Sequence, residues 1–437
     1  MRAFNKAKQY TPKIYGIEYG KVASPLLTRT GASLELLTAN VGVASTKAIN
    51  LFNGAEIYRD IHEVTDEFGN VFIRIPKFYI KKTDSATSYT VQISKQKFPE
   101  SYLPWCFWNF TTNSENQYFD IGKYIASHTG TLLESKSNTF RPAFIHATTA
   151  RTYALNNGTN YQLFDIHIYD VLISLFIVEF ATLNSQSVMF GPSNIGYSQA
   201  TVTESSVTRI ILSNANADKY RVGHIISVGT TSLGYDIAQL RELLSITEYD
   251  ASNKALNLSG AAFNVNIGYY AGLSGTKNGF SSGISDLSGS IVSNSDGYSE
   301  NMYRGIENFY GRSLESIDGL NLNTDELWVT NNAANYAFGV FANPYVRLNY
   351  DRNSSTGYTT SRGFDSTYPF AEMNTVNTAS GSTYFCDNSG RATGTRIMSW
   401  GGSHVYSDNS GIFYYNNALG TTSVGLLFEH RLCKKQK

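Results

Sequence analysis

Three acidic residues near one another in the chain, Glu307, Glu315 and Asp318, are the first candidates for chemistry. A pair of carboxylates on either side of a glycosidic bond can hydrolyse it, one as acid and the other as base or nucleophile. The same residues also cap turns and pair with basic neighbours. Arg304 and Arg312 stand ready for that plainer role, which is the preferred reading. Asn294, Asp296 and Glu300 offer hard oxygen donors of the kind calcium takes. No Asp-x-Asp-x-Asp-Gly loop accompanies them, so no metal is assigned. The seven histidines, His62, His128, His146, His167, His224, His404 and His430, show no metal-ligand spacing. Cys106, Cys386 and Cys433 leave room for one disulfide but not for a disulfide framework, and no CxxC pair occurs. The expectation is a protein that is not an enzyme, with no catalytic residues, no cofactor and no metal.

Composition points the same way. The chain has 437 residues, of which 16% are charged and 14% aromatic, including 30 Tyr. An ordinary globular protein is about 25% charged. The surface must therefore be built from Ser, Thr, Asn, Gly and Tyr, a mix suited to recognition because Tyr gives rigid contact area and the small polar residues adaptable hydrogen bonds. Lys+Arg 35 balances Asp+Glu 35. Without a basic field, nucleic-acid binding is not expected. The N-terminus lacks the apolar core of a signal peptide. The longest apolar run, Val171 to Phe180, is too short to span a bilayer, so no membrane insertion is expected.

The elements that would position such a surface can be sketched from local pattern. Residues 1–55 carry weak strand signals and suggest a short N-terminal β arm for docking, with little core of its own. Asp66–Asn70 is a hairpin turn followed by one outgoing strand, Val71 to Lys82, with Pro76 at a bulge or edge. A short helix is expected from Thr149 to Asn156. The main helix is expected from Tyr161 to Thr182, mostly buried, with a narrow polar stripe of His167, Asp170 and Ser174. Glu179 lies opposite Asp170, on the buried side, and needs a partner such as backbone NH groups or an Arg. Strands around Val207–Leu212, Tyr220–Val228, Leu243–Tyr249 and Ala255–Leu258 suggest a small all-β domain, 197–275, inserted between 56–196 and 276–437.

Several segments in order carry a resemblance. They are Ile75-Pro76-Lys77-Phe78-Tyr79, Val178-Glu179-Phe180-Ala181-Thr182-Leu183-Asn184-Ser185-Gln186, Tyr303-Arg304-Gly305-Ile306-Glu307-Asn308, Gly311, Asp318-Gly319, Gly401-Gly402-Ser403 and Gly411-Ile412-Phe413-Tyr414. This order resembles phage tail and receptor-binding proteins with a C-type lectin fold. That group includes the variable proteins of diversity-generating retroelements and shares its fold with the formylglycine-generating-enzyme superfamily. The resemblance covers roughly 56–196 and 276–437. It implies an α+β fold in which a C-type-lectin-like domain carries a buried helix and sheets.

The resemblance also implies a ligand face: Trp400, Ser403, His404, Tyr406, Asp408, Asn409, Tyr414, Tyr415, Asn416 and Asn417. Tyr414 and Tyr415 would alternate faces in a strand, one ring inward and one outward. The cysteine pair and the histidine iron site of the superfamily's oxidases have no counterpart here. The implied function is a phage tail-tip or fibre protein, made in the host cytoplasm and carried on the virion. It would recognise a bacterial surface receptor, protein or glycan, and contact other tail proteins. Homo-oligomers, such as trimers, would add avidity. The alternatives are a purely structural tail or baseplate protein and a surface-glycan depolymerase.

Overall fold

The segment with the clearest helical period forms the longest helix, Ile166–Phe180, in a computed structural model that describes residues 11–36, 41–43, 49–140, 145–292, 295–417, 419–420, 423 and 428–436. Asp165 caps its start, accepting from the backbone NH groups of His167 and Ile168 at 3.0 and 2.9 Å. Ala181 closes it in the left-handed conformation, φ 53°. Every residue of the helix is buried, including the polar stripe. The turn ahead of it, expected to be helical, is instead the strand Tyr161–Leu163. A second helix, Ala147–Leu155, precedes it.

Sheets surround the long helix. A four-stranded sheet has the order Thr28–Gly31, Tyr15–Tyr19, Tyr89–Ser94, Tyr79–Asp84. Tyr15, Ile17, Tyr19, Phe52 and Tyr58 join the same core as the helix. Arg29 donates to the carbonyls of Val178 and Glu179 at the helix C-terminus, at 2.7 and 2.5 Å. The N-terminal segment is thus part of the main body rather than a separate arm.

A five-stranded sheet follows, with the order Tyr161–Leu163, Leu432–Lys435, Tyr118–Gly122, Val71–Pro76, His62–Thr65. The single strand expected from Val71 to Lys82 is two strands in two different sheets. Pro76 cannot donate to a ladder, and the chain leaves the first sheet there.

An eight-stranded sheet is centred on Leu314–Asn323 and Thr395–Trp400. Leu314 to Leu322 are all buried, because this sheet is covered on both faces. Gly319 sits at φ +77°, where the register shifts between Ser316 and Asn321. A side chain there would meet the Tyr336 ring at 2.8 Å.

Residues 197–275 build a six-stranded sheet, Tyr197–Gln199, Tyr270–Thr276, His224–Gly229, Ala238–Glu248, Asn253–Leu258, Arg209–Ser213. Ile210, Ile226, Leu243, Leu256 and Val265 form a core separate from the main one.

These elements overturn the α+β, C-type-lectin-like expectation. The protein is mainly β, 37% strand against 13% helix, with three helices among the described residues. The physical cause lies in the chain itself. Only one long segment has apolar residues at helical spacing, while short alternating runs separated by Gly, Asn and Ser become strands. Among the oxygen donors considered for calcium, Asn294 lies outside the described residues.

Candidate functional site

Most of the expected ligand face is core. Trp400 ends the strand Thr395–Trp400 and stacks on Phe164 at 5.4 Å, with Tyr169 and Phe309 at its edges. Tyr415 is 1% exposed, and its hydroxyl accepts from Arg362 at 2.6 Å. Tyr414 is buried on the sheet's other face, with Ala147, Leu314, Ile397 and Phe428. Neither ring points to solvent, because both faces of this sheet are covered. Asn417 is buried and pairs with the backbone of Ala392, while Asn416 donates to the Tyr414 hydroxyl at 2.9 Å. Ser403 is buried, and buried His404 meets the Tyr197 ring at the root of the inserted body. Only Tyr406, Asp408 and Asn409 of the ten reach the surface, at the turn Ser407–Asn409. Trp400, Ser403, His404, Tyr414, Tyr415, Asn416 and Asn417 therefore do not form an exposed face.

The carboxylates first considered for hydrolysis are also committed. Glu307 accepts from the backbone NH groups of Gly279 and Ser281, at 2.9 and 3.0 Å. Asp318 takes a bidentate contact from Arg151, at 2.8 and 2.7 Å. Glu315 pairs with Arg431, and Arg312 with Glu429. Burial pushes the carboxyls of Glu307 and Glu315 up. Asp296 pairs with Arg221, and Glu300 with His224. Among the described residues, no cluster of His, Cys, Asp and Glu is placed to hold a metal ion. All three cysteines are buried free thiols, so the one disulfide allowed by their number is not formed.

An open surface with ordered polar side chains lies on the five-stranded sheet. One register row crosses all its strands: His62 pairs with Arg74, Arg74 with Asp120, Asp120 with Lys434, and Lys434 with Tyr161. Side chains two residues apart share a face. Farther along that face, Phe72, Leu163 and Leu432 pack beneath Ala150 and Ala154 of the helix Ala147–Leu155. The helix covers that part of the face, and beside the His62–Arg74 pair the sheet is left open.

An open groove of about 580 Å³ lies there. Tyr118 and Pro76 give it flat apolar surface, and Arg59, Asp60, His62, Arg74 and Gln117 give it donors and acceptors. The Arg74 guanidinium sits 3.5 Å from the Tyr118 ring centroid. Its Nε and Nη2 also grip Asp120 at 2.8 and 2.9 Å, which holds the guanidinium charged and in place. Asp60 is held below the usual carboxylate range by Lys95, then by Arg59. Such a groove can bind a flat, hydroxyl-rich or amide-rich ligand by stacking and hydrogen bonds.

The sequence reading missed this site. Its only local trace is Arg74 between Ile73 and Ile75, and the row exists only once strands distant in sequence pair. The chain matches no family model and no curated protein.

Proposed function

We propose that this protein is a tail-tip or fibre component of a phage that recognises a receptor on the bacterial surface. The observation that carries the reading is the prebuilt groove at Arg74 and Tyr118, rigid in its floor and polar around its rim. The few-charge, Tyr- and Asn-rich composition supports the same reading. So does the burial of the acids first considered for glycan hydrolysis, which favours binding without turnover. Exposed Leu26, Leu34 and Ile49 support docking of the N-terminal segment to neighbouring tail proteins. Several copies per virion would turn weak single contacts into avidity.

The test is binding of the purified protein to a panel of bacterial strains, beside Arg59→Ala, His62→Ala and Gln117→Ala. These side chains are not buried, so the variants should fold normally. The expected outcome is strain-selective binding, weakened about tenfold by the combined variant. Binding unchanged by the variants would place the receptor contact elsewhere. Absence of binding to every strain would favour the purely structural tail role.

A further inference from the structure

Inside the body, where the long helix faces the N-terminal sheet, Lys82, Asp170 and Glu372 meet with side chains 3%, 0% and 4% exposed. Lys82 comes from the strand Tyr79–Asp84, Asp170 from the long helix, and Glu372 from the segment before the strand Asn374–Val376. Lys82 Nζ lies 2.6 Å from Asp170 Oδ1. Asp170 Oδ2 accepts from the Tyr102 hydroxyl at 2.8 Å. Glu372 contacts Lys82 as well and accepts from the Tyr89 hydroxyl at 2.9 Å. Arg362 donates to the Glu372 carbonyl at 2.7 Å and to Tyr415.

An ion pair held dry between a β-strand and a helix is a costly way to join them. The set supplies more than an ion pair needs: an amine, a carboxyl, a hydroxyl on that carboxyl's second oxygen, and another carboxylate touching the amine. Those are the parts of an acyl transfer, with nucleophile, electrophile, oxyanion donor and proton carrier in reach of one another.

We propose that Lys82 and Asp170 condense after folding into an intramolecular amide. Glu372 carries a proton from the Lys82 ammonium to Asp170 Oδ1, and the free amine attacks Cγ of the neutral carboxyl. The Tyr102 hydroxyl donates to the oxyanion that develops on Oδ2. Glu372 then moves the second amine proton to the Oδ1 hydroxyl, which departs as water as the carbonyl at Oδ2 re-forms. Overall, one ammonium and one carboxylate become one amide and one water, with no oxidant or co-reactant. Burial above all pushes the Asp170 carboxyl up to about 6, against the pull of Lys82, which eases loss of its oxygen. Lys82 stays protonated at rest: burial opposes its charge, but Asp170 and Glu372 outweigh it. Proton transfer to Glu372 is therefore a required step. Held reactants reach effective molarities on the order of 10⁵–10⁸ M, enough to drive a condensation that is unfavourable in dilute solution. The product would tie the N-terminal sheet covalently to the central helix, a useful brace for a tail component under load.

Intact mass of the full chain decides the matter. The expected result is a mass one water below that of the sequence, and a branched peptide joining Lys82 to Asp170. A full sequence mass in folded protein overturns the proposal. Lys82→Arg should keep its full mass. Asp170→Asn should release ammonia instead and end at the same final mass as the wild type. Glu372→Gln should remain uncross-linked or react at least tenfold more slowly. Should any variant fail to fold, the wild-type mass and peptide map still decide.

Discussion

Tyr415 shows how burial reverses an expectation at the scale of one residue. As part of an exposed ligand face, it would have been replaceable without loss of stability. At 1% exposure, among Tyr169 and Arg362, Tyr415→Ala opens a cavity and removes one of the acceptors of the Arg362 guanidinium. It should cost about 3–5 kcal/mol in denaturant unfolding. A loss below about 1 kcal/mol would contradict its place in the core. Glu179 was legible as a buried acid from its position on the helix. Its carboxylate accepts from Arg304 Nε at 3.0 Å, from Tyr303 at 2.9 Å and from Asn50 at 2.7 Å. Glu179→Ala leaves Arg304 buried without its charge partner, so the same measurement should show a loss of about 3–5 kcal/mol. The partner is not legible, because Arg304 is brought there by a strand far along the chain.

At the scale of elements, the inserted body and the main body carry separate cores. Ile226→Ala removes a buried side chain from the smaller core and should destabilise it by about 2–4 kcal/mol. Amide exchange should quicken across 197–275 while Ile166–Phe180 keeps its protection. Equal quickening in both would show one cooperative unit instead. Glu300 sits where the two bodies meet, with Oε1 3.0 Å from His224 Nε2 and with a hydrogen bond from Thr276. Burial opposes its charge, but His224 and Thr276 outweigh it and hold the carboxyl down to about 2. A depressed carboxyl contributes stability above its unfolded pKa and loses it as pH falls through the folded one. About 3 kcal/mol should therefore disappear between roughly pH 4.5 and pH 2. Acid unfolding of Glu300→Gln should lack that component. An identical acid profile in the two proteins would remove Glu300 as its source.

For the molecule as a whole, the packing of sheets around one helix decides what the surface can offer. The polar stripe of that helix, His167, Asp170 and Ser174, does not face water. Asp170 meets Lys82, and His167 packs on Phe370 at 4.1 Å, where burial pushes the imidazole down to about 3. Both side chains are thus taken up inside the body, and among the described residues no group of His, Cys, Asp and Glu is placed to hold a metal ion. Chelator should leave both the melting temperature and strain-selective binding unchanged. A sharp loss of either with EDTA would reveal a cation site.

The sequence by itself determined what is local. The apolar period placed the long helix, though not its start, which Asp165 caps four residues after the expected Tyr161, and alternation marked some of the strands, among them those of 197–275. The burial of Glu179 followed from its angle on the helix. The tertiary structure alone decided which faces are covered and which strands are neighbours. Tyr414 and Tyr415 alternate as a strand requires, yet both are buried because two different layers cover the sheet. The row from His62 to Tyr161 draws on five separate segments, and no one of them carries its pattern. Periodicity is a property of consecutive residues. Register and coverage are set by contacts between distant ones, where a polar side chain on an open face and one in a buried ion pair have the same local sequence.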